Sequence, residues 1–238
     1  MIDGMAQQTV APEAQTPPNR APHRGGLFRV GVVLVVAGLL VLCYVGWQFF
    51  GTNAVSQHKQ QQLIEQTRRA WAQGSSTSIK GKGRQMAGAE ALIRIPRFGK
   101  DYLVPVQRGV GDKVLAEGLG RFRQSAGPGQ VGNFALAGHR ITHGQPLRNM
   151  PDLRPGDKVV VETRYRTYTY RLDTDPNRLI VPFTAIWVIT PVPTNPQGGV
   201  QPAQRPGQRL ITLTTCSELF HTDNRMIAFG HLVGSRPG

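Results

Sequence analysis

Arg209-Leu210-Ile211-Thr212-Leu213-Thr214-Thr215, closed by Cys216, is the stretch from which the fold is read. It is aliphatic and β-branched, it lacks Gly and Pro, and the turn-forming residues Pro206-Gly207 precede it, so it reads as a strand. Alternation along a strand puts Ile211 and Leu213 on one face and Thr212, Thr214 and Cys216 on the other. The first is a core face. The second is less apolar, and it carries a thiol at its end.

Working outward, the same texture recurs. Short apolar runs lie at Ala91–Ile95, Tyr102–Val106, Asn133–Ala137, Lys158–Thr163, Tyr165–Leu172, Ile186–Thr190 and Met226–Val233. Tyr165–Leu172 alternates aromatic and polar residues with period two, as a half-buried strand does. Turn residues such as Gly127-Pro128-Gly129 and Arg154-Pro155-Gly156-Asp157 separate the runs. About eight strands with little helix predict an all-β domain, either a closed barrel or a sandwich. Pro191–Gln208, with five prolines, is a long loop of the kind that is usually functional or mobile.

Upstream the composition changes. Val30–Phe50 is 21 residues without a charge, which as a helix spans about 30 Å, the thickness of a hydrocarbon core. Arg20, Arg24 and Arg29 precede it, and Tyr44 and Trp47 lie towards its far end. The basic flank predicts a cytoplasmic N-terminus and an exported remainder. The run is longer than a signal-peptide core and no clean A-x-A site follows, so it reads as an uncleaved anchor. Leu42 stands where a lipobox needs a small residue, so Cys43 reads as an ordinary apolar helix residue. Residues 1–29, with several prolines, read as a disordered cytoplasmic tail. Residues 51–90 read as a stalk: Ser56–Gln73 has helix formers but a thin apolar face, and Gly74–Ser78 breaks it.

The chain has 238 residues, enough for one domain with a core plus an appendage. Two cysteines exclude a disulfide scaffold. The net charge of +14 would ordinarily suggest nucleic acid. However, residues 51–238 hold 25 of the Lys and Arg against 12 Asp and Glu, so most of the excess lies on the exported side. Zinc-finger cysteines and an RNA-binding signature are missing from the sequence, so nucleic acid is not the expected partner. Anionic wall polymers, peptidoglycan and lipid headgroups are.

Cys216 is the one cysteine after the anchor. Its residues leave two readings open, a nucleophile and an inert thiol. A nucleophile needs a proton partner and an oxyanion stabiliser. His139 follows the run Asn133–Ala137 at a strand end. Arg225 lies nine residues past Cys216, so if the two runs pair antiparallel the side chains meet across the pair. A permanently charged guanidinium suits thiolate and oxyanion alike. His139 and His143 have zinc-helix spacing, but Arg140, two β-branched residues and Gly144 make a poor helix, and no metal is expected there. His221 and His231 have no motif around them. The sequence contains neither a G-x-S-x-G elbow nor a P-loop.

Thr212-Leu213-Thr214-Thr215-Cys216 resembles the T-L-x-T-C signature of sortases, exported cysteine transpeptidases of the cell wall. Gly132–Arg140 (GNFALAGHR) resembles the strand that carries their histidine, and Asn224-Arg225 their arginine segment. Arg94–Tyr102 (RIPRFGKDY) and the run from Ala137 to Gly144 are most similar to class E. The resemblance covers Ala91 to Val233. It implies a closed eight-stranded β-barrel with short helices over residues 91–236, preceded by a single transmembrane helix at 30–50, with Cys216, His139 and Arg225 at one rim. It implies cleavage of a C-terminal Leu-Ala-x-Thr-Gly or Leu-Pro-x-Thr-Gly signal between Thr and Gly, then transfer to a peptidoglycan-precursor amine. The partners it implies are secreted proteins bearing that signal and the cytoplasmic membrane. It implies no cofactor, and the sequence offers no acidic cluster for a calcium ion. The acidic loop Ser217–Asn224 departs from the family pattern. Two rival readings are an L,D-transpeptidase, whose S-x-G-C pattern Thr215 does not match, and an inert basic wall-binding module.

Overall fold

The computed structural model describes residues 24–47, 52–73, 88–216 and 223–238. The expectations for residues 1–23, for the break at Gly74–Ser78, for His221 and for most of the loop after Cys216 lie outside the described residues. The chain divides into two units, 1–45 and 46–238. In the first, helix α1 (Arg24–Gly46) contains the span Phe28–Gly46 with a mean hydropathy of 2.5. Its 19 residues reach about 28 Å, long and apolar enough to cross a membrane. With apolar side chains on every side, it has no polar face to offer water.

In the second unit, eight strands close into a barrel: β1 (Ala91–Arg94), β2 (Val104–Arg108), β3 (Leu119–Arg121), β4 (Gly132–Ala137), β5 (Lys158–Glu162), β6 (Arg166–Leu172), β8 (Arg209–Cys216) and β9 (Asn224–Pro237). Their order is β6-β5-β1-β2-β3-β4-β8-β9, and pairing of β9 back onto β6 closes the ring. A ninth strand, β7 (Ile180–Pro182), pairs with the start of β9 alone. The eight-stranded barrel expected from the sequence is therefore present, with one short added strand. β9 serves both jobs because it is 14 residues long: its first residues meet β7 and its last meet β6.

The alternation read from the sequence sorts the faces. Ile211 and Leu213 point into the barrel with Phe134, Leu136, Val161 and Tyr170, all buried. A second apolar cluster lies on the outer face, where Leu179, Val181 and Val188 cover Ile227 and Phe229. Trp187 tilts against Phe229 at 6.0 Å between ring centroids. So the outer face of β8 and β9 is roofed.

Three expectations change. Ile186–Thr190 is not a strand; Ile186–Ile189 is a single 3-10 turn forming part of that roof. Its carbonyls are satisfied by a side chain rather than a neighbouring strand: Asn133 Nδ2 donates to Val188 O and Thr190 O, each at 3.1 Å, and Thr212 Oγ1 donates to Asn133 Oδ1 at 2.8 Å. β3 and β7, three residues each, are too short to leave a periodic trace. Finally, Thr52–Ala72 forms helix α2 and does not stand clear as a stalk. Its small and polar face is what packs: Ser56, Gln60 and Thr67 are buried, and Thr67 Oγ1 accepts from Ala89 N at 2.8 Å. An apolar stripe was the wrong signal for a helix that docks through hydrogen bonds.

Asn133→Ala removes the donor from two roof carbonyls. It is expected to lower the unfolding free energy by about 2 kcal/mol in urea denaturation, with faster amide exchange at residues 186–190. Unchanged exchange there would show that the roof is held otherwise.

Candidate active site

β4, β8 and β9 position the three candidate residues. β4 runs parallel to β8 with Ala137 opposite Thr214, and β8 runs antiparallel to β9 with Cys216 opposite Arg225. Directly opposed residues in an antiparallel pair have Cβ atoms about 5 Å apart on the same face. The cross-strand meeting of Cys216 and Arg225 expected from their nine-residue spacing is the observed register.

His139 lies two residues beyond β4. The chain there is tied to β8 twice: Gly138 N donates to Thr214 O at 3.2 Å, and Thr215 Oγ1 donates to Gly138 O at 2.8 Å. On its other side Gly138 leaves room for Leu119, since a Cβ would sit 2.4 Å from Leu119 Cδ2. Thr215 is thus not a passive neighbour of the cysteine; its hydroxyl sets where the histidine strand ends.

Cys216, His139 and Arg225 line one cavity of about 220 Å³. Thr214 is in its wall, so it lies on the face assigned to the cysteine from alternation. The opposite wall is the roof segment, including Phe183, Ile186 and Ile189. Phe183 and Ile186 remain largely exposed, which gives the cavity an apolar rim open to solvent. Arg225 is half-buried; its Nη1 donates to Asn224 O at 3.1 Å, and its guanidinium carbon lies 6.0 Å from the Phe183 ring centroid.

The histidine has neighbours that the sequence reading did not credit. His143 stacks on His139 with ring centroids 4.6 Å apart and planes 28° from parallel. The i, i+4 spacing considered for zinc is therefore a ring stack in a non-helical loop. His143, Gly144 and Gln145 all take positive φ there. α2 holds that loop: Asn53 Oδ1 accepts from Gly144 N at 2.9 Å, and Gln60 Nε2 donates to His143 O at 3.4 Å. Burial lowers the His139 pKa most; His143 and Arg225 also lower it, while Asp112 on the short helix α3 (Asp112–Leu115) opposes them. His139 is thus held neutral to lower pH than an ordinary histidine. Among the described residues no group of three or more His, Cys, Asp or Glu is placed to hold a metal.

Asp112 and the roof segment were not expected at the site, and His143 was weighed only as a zinc ligand. His143 had a signal, its repeat distance from His139. The roof had none, because Val181–Ile189 reaches β8 through the packing of its outer face and through Thr212, which donates to Val188 O at 3.3 Å, and neither leaves a local pattern.

Residues 93–233 match the family described as Sortase domain. Sortase SrtE1 of Streptomyces coelicolor is 35% identical over 218 residues, which is 87% of this chain but 57% of that relative, so the chain spans little over half its length. The structure of sortase E from Streptomyces avermitilis is 39% identical, with a TM-score of 0.55 over 63% of this chain and 90% of that one. The crystal structure of sortase E1 from Streptomyces coelicolor with a tripeptide in the active site is 35% identical, with a TM-score of 0.54 over the same shares.

His143→Phe keeps a ring on His139 and removes a titratable neighbour, so the His139 pKa is expected to rise in an NMR titration. A fall, or no movement, would rule out an electrostatic contribution from His143. The sign for stability follows from the same shift. Below about pH 6.5 the unfolded chain binds a proton at His139 that the folded chain resists, so this group's contribution to stability is lost as pH falls through that window. The variant should lose less stability than the parent between neutral and mildly acidic pH in urea denaturation.

Proposed function

Because the chain belongs to the sortase family, on its class E branch, we propose that it is a membrane-anchored cysteine transpeptidase acting on secreted proteins with a C-terminal sorting signal. The observation that carries this reading is the convergence of Cys216, His139 and Arg225 on one cavity, with Cys216 and Arg225 in direct register. On this reading α1 spans the cytoplasmic membrane with its N-terminus inside, and the barrel works outside, facing the cell wall. That arrangement keeps the enzyme where secreted substrates and wall precursors meet.

The mechanism follows from the residues. A neutral imidazole beside a thiol is first a proton acceptor. His139 takes the Sγ proton as Cys216 attacks the Thr carbonyl carbon of the signal as a thiolate. The carbonyl electrons move to oxygen, where the Arg225 guanidinium meets the developing charge. Collapse breaks the Thr–Gly C–N bond, and His139 returns its proton to the leaving Gly amine. The product is a thioester on Cys216. An amine of a peptidoglycan precursor then attacks that carbon and gives its proton to His139. The C–S bond breaks, and the departing thiolate takes that proton from His139, which restores the thiol and the neutral imidazole. The apolar rim of Phe183 and Ile186 suits the leucine that opens a Leu-Ala-x-Thr-Gly or Leu-Pro-x-Thr-Gly signal.

The test is incubation with both peptides and an amine acceptor, with products read by mass spectrometry. The soluble form should begin at Thr52, since α2 supports the histidine loop. Expected is Thr–Gly cleavage with acceptor transfer, abolished in Cys216→Ala. Arg225→Lys should lose about 100-fold in kcat, the scale of one lost oxyanion donor, because a lysine lacks the planar fork. Turnover at the wild-type rate by either variant would overturn its assigned role. A folded protein that cleaves neither peptide and shows no selective alkylation of Cys216 would favour the inert wall-binding module.

A further inference from the structure

A second cavity of the barrel unit lies apart from the one containing Cys216. It has a volume of about 620 Å³ and lies at the other end of β8, lined by Arg209, Arg171, Arg205, Gln208, His231 and Asp173 among others. From Leu210 to Cys216 is six residues of extended strand, about 20 Å, so the two cavities are separate.

Strand pairing builds this second cavity. Arg171 on β6 stands opposite His231 on β9, and His231 stands opposite Leu210 on β8, next to Arg209. Arg205 is added by the Pro-rich segment that precedes β8. All three arginines are exposed, and none makes an ion pair among the described residues. The carboxylate in the lining, Asp173, is already engaged: His231 Nδ1 lies 2.8 Å and 2.9 Å from its two oxygens. Three cations therefore face one cavity without a free counter-charge there.

A second observation points the same way. Gln208 Nε2 is buried and has no hydrogen-bond partner among the described residues. A buried N–H donor without an acceptor is unfavourable, and Gln208 lines this cavity. Gln208 as a whole is only half-buried, so a rotation of its amide would present that donor to an oxygen-rich ligand in the cavity. Guanidinium forks match the paired oxygens of an oxyanion, and three of them call for more than one negative charge in the ligand.

We propose that this cavity is a binding site for a phosphate-bearing polyanion. The ligand chemistry is the phosphoryl group, whether it comes from a soluble phosphodiester polymer or from a lipid headgroup. The site is independent of the transpeptidase reading, and its occupant leaves the cavity of Cys216 open.

Isothermal titration of the full chain in nonionic detergent micelles tests this, with inorganic pyrophosphate as the first probe. Arg171→Gln/Arg209→Gln should weaken binding by about tenfold or more, whereas the equally charged control Arg178→Gln/Arg236→Gln should change it by less than roughly twofold. Gln208→Leu, which leaves the charge untouched, should weaken it as well. Short poly(glycerol phosphate) and micelle-dispersed phosphatidylglycerol separate the sources, since the true source loses affinity in the cavity variant and not in the control. Equal losses in both double variants would mean that the attraction is diffuse, and would overturn the proposal. So would the lack of saturable pyrophosphate binding, or equally tight binding of triglutamate.

Discussion

The placement of β8 between a parallel and an antiparallel neighbour is the constraint on which the rest depends. The parallel pairing with β4 delivers the end of the histidine strand to Thr214, and the antiparallel pairing with β9 delivers Arg225 to Cys216. Either register slipped by one residue would turn a side chain to the wrong face. The hydrogen bonds of Gly138 and Thr215 fix the first register just where the histidine begins. The T-L-T-T-C run is thus a structural device as well as a signature: its hydroxyls tie down Gly138, next to His139, and Asn133 under the roof.

The barrel has two apolar layers, and only one is a conventional interior. The second lies outside β8 and β9, under the roof made by β7 and the 3-10 turn. Asn133 and Thr212 pin that roof through a small buried polar network. A strand face of threonines would otherwise be open to water. Roofing it creates a cavity with an apolar wall, and Cys216, His139 and Arg225 line it together. The same outer face, followed to the start of β8, passes into the arginine-lined cavity.

α2 links the segment that follows α1 in the sequence to the histidine loop. Its hydrogen bonds from Asn53 and Gln60 reach the residues that carry His143, whose ring lies on His139. The environment of the histidine is therefore shaped by a helix some eighty residues upstream. The polar face of α2 made it look like a solvated stalk, because periodicity scores apolar stripes and is blind to side-chain amides that dock on loop backbone.

Much of the barrel was legible in the residues. Alternation in Arg209–Cys216 separated the core face from the face that bears the thiol, and the nine-residue step from Cys216 to Arg225 allowed the two runs to pair antiparallel. These are local facts, carried by a period of two and by chain length. Long-range facts left no such mark. β3 and β7 are three residues each, the roof turn imitated a strand because a buried 3-10 turn is equally apolar, and the His143 stack depends on a loop with three positive φ values. Residue order alone was enough for the apolar N-terminal helix, most of the strands and the register that sets Cys216 opposite Arg225. Closure of the ring by β9 on β6, the roof, the docking of α2 and the meeting of Arg171 with Arg205 and Arg209 came only with folding, because each joins residues far apart in the chain through contacts that no local pattern encodes.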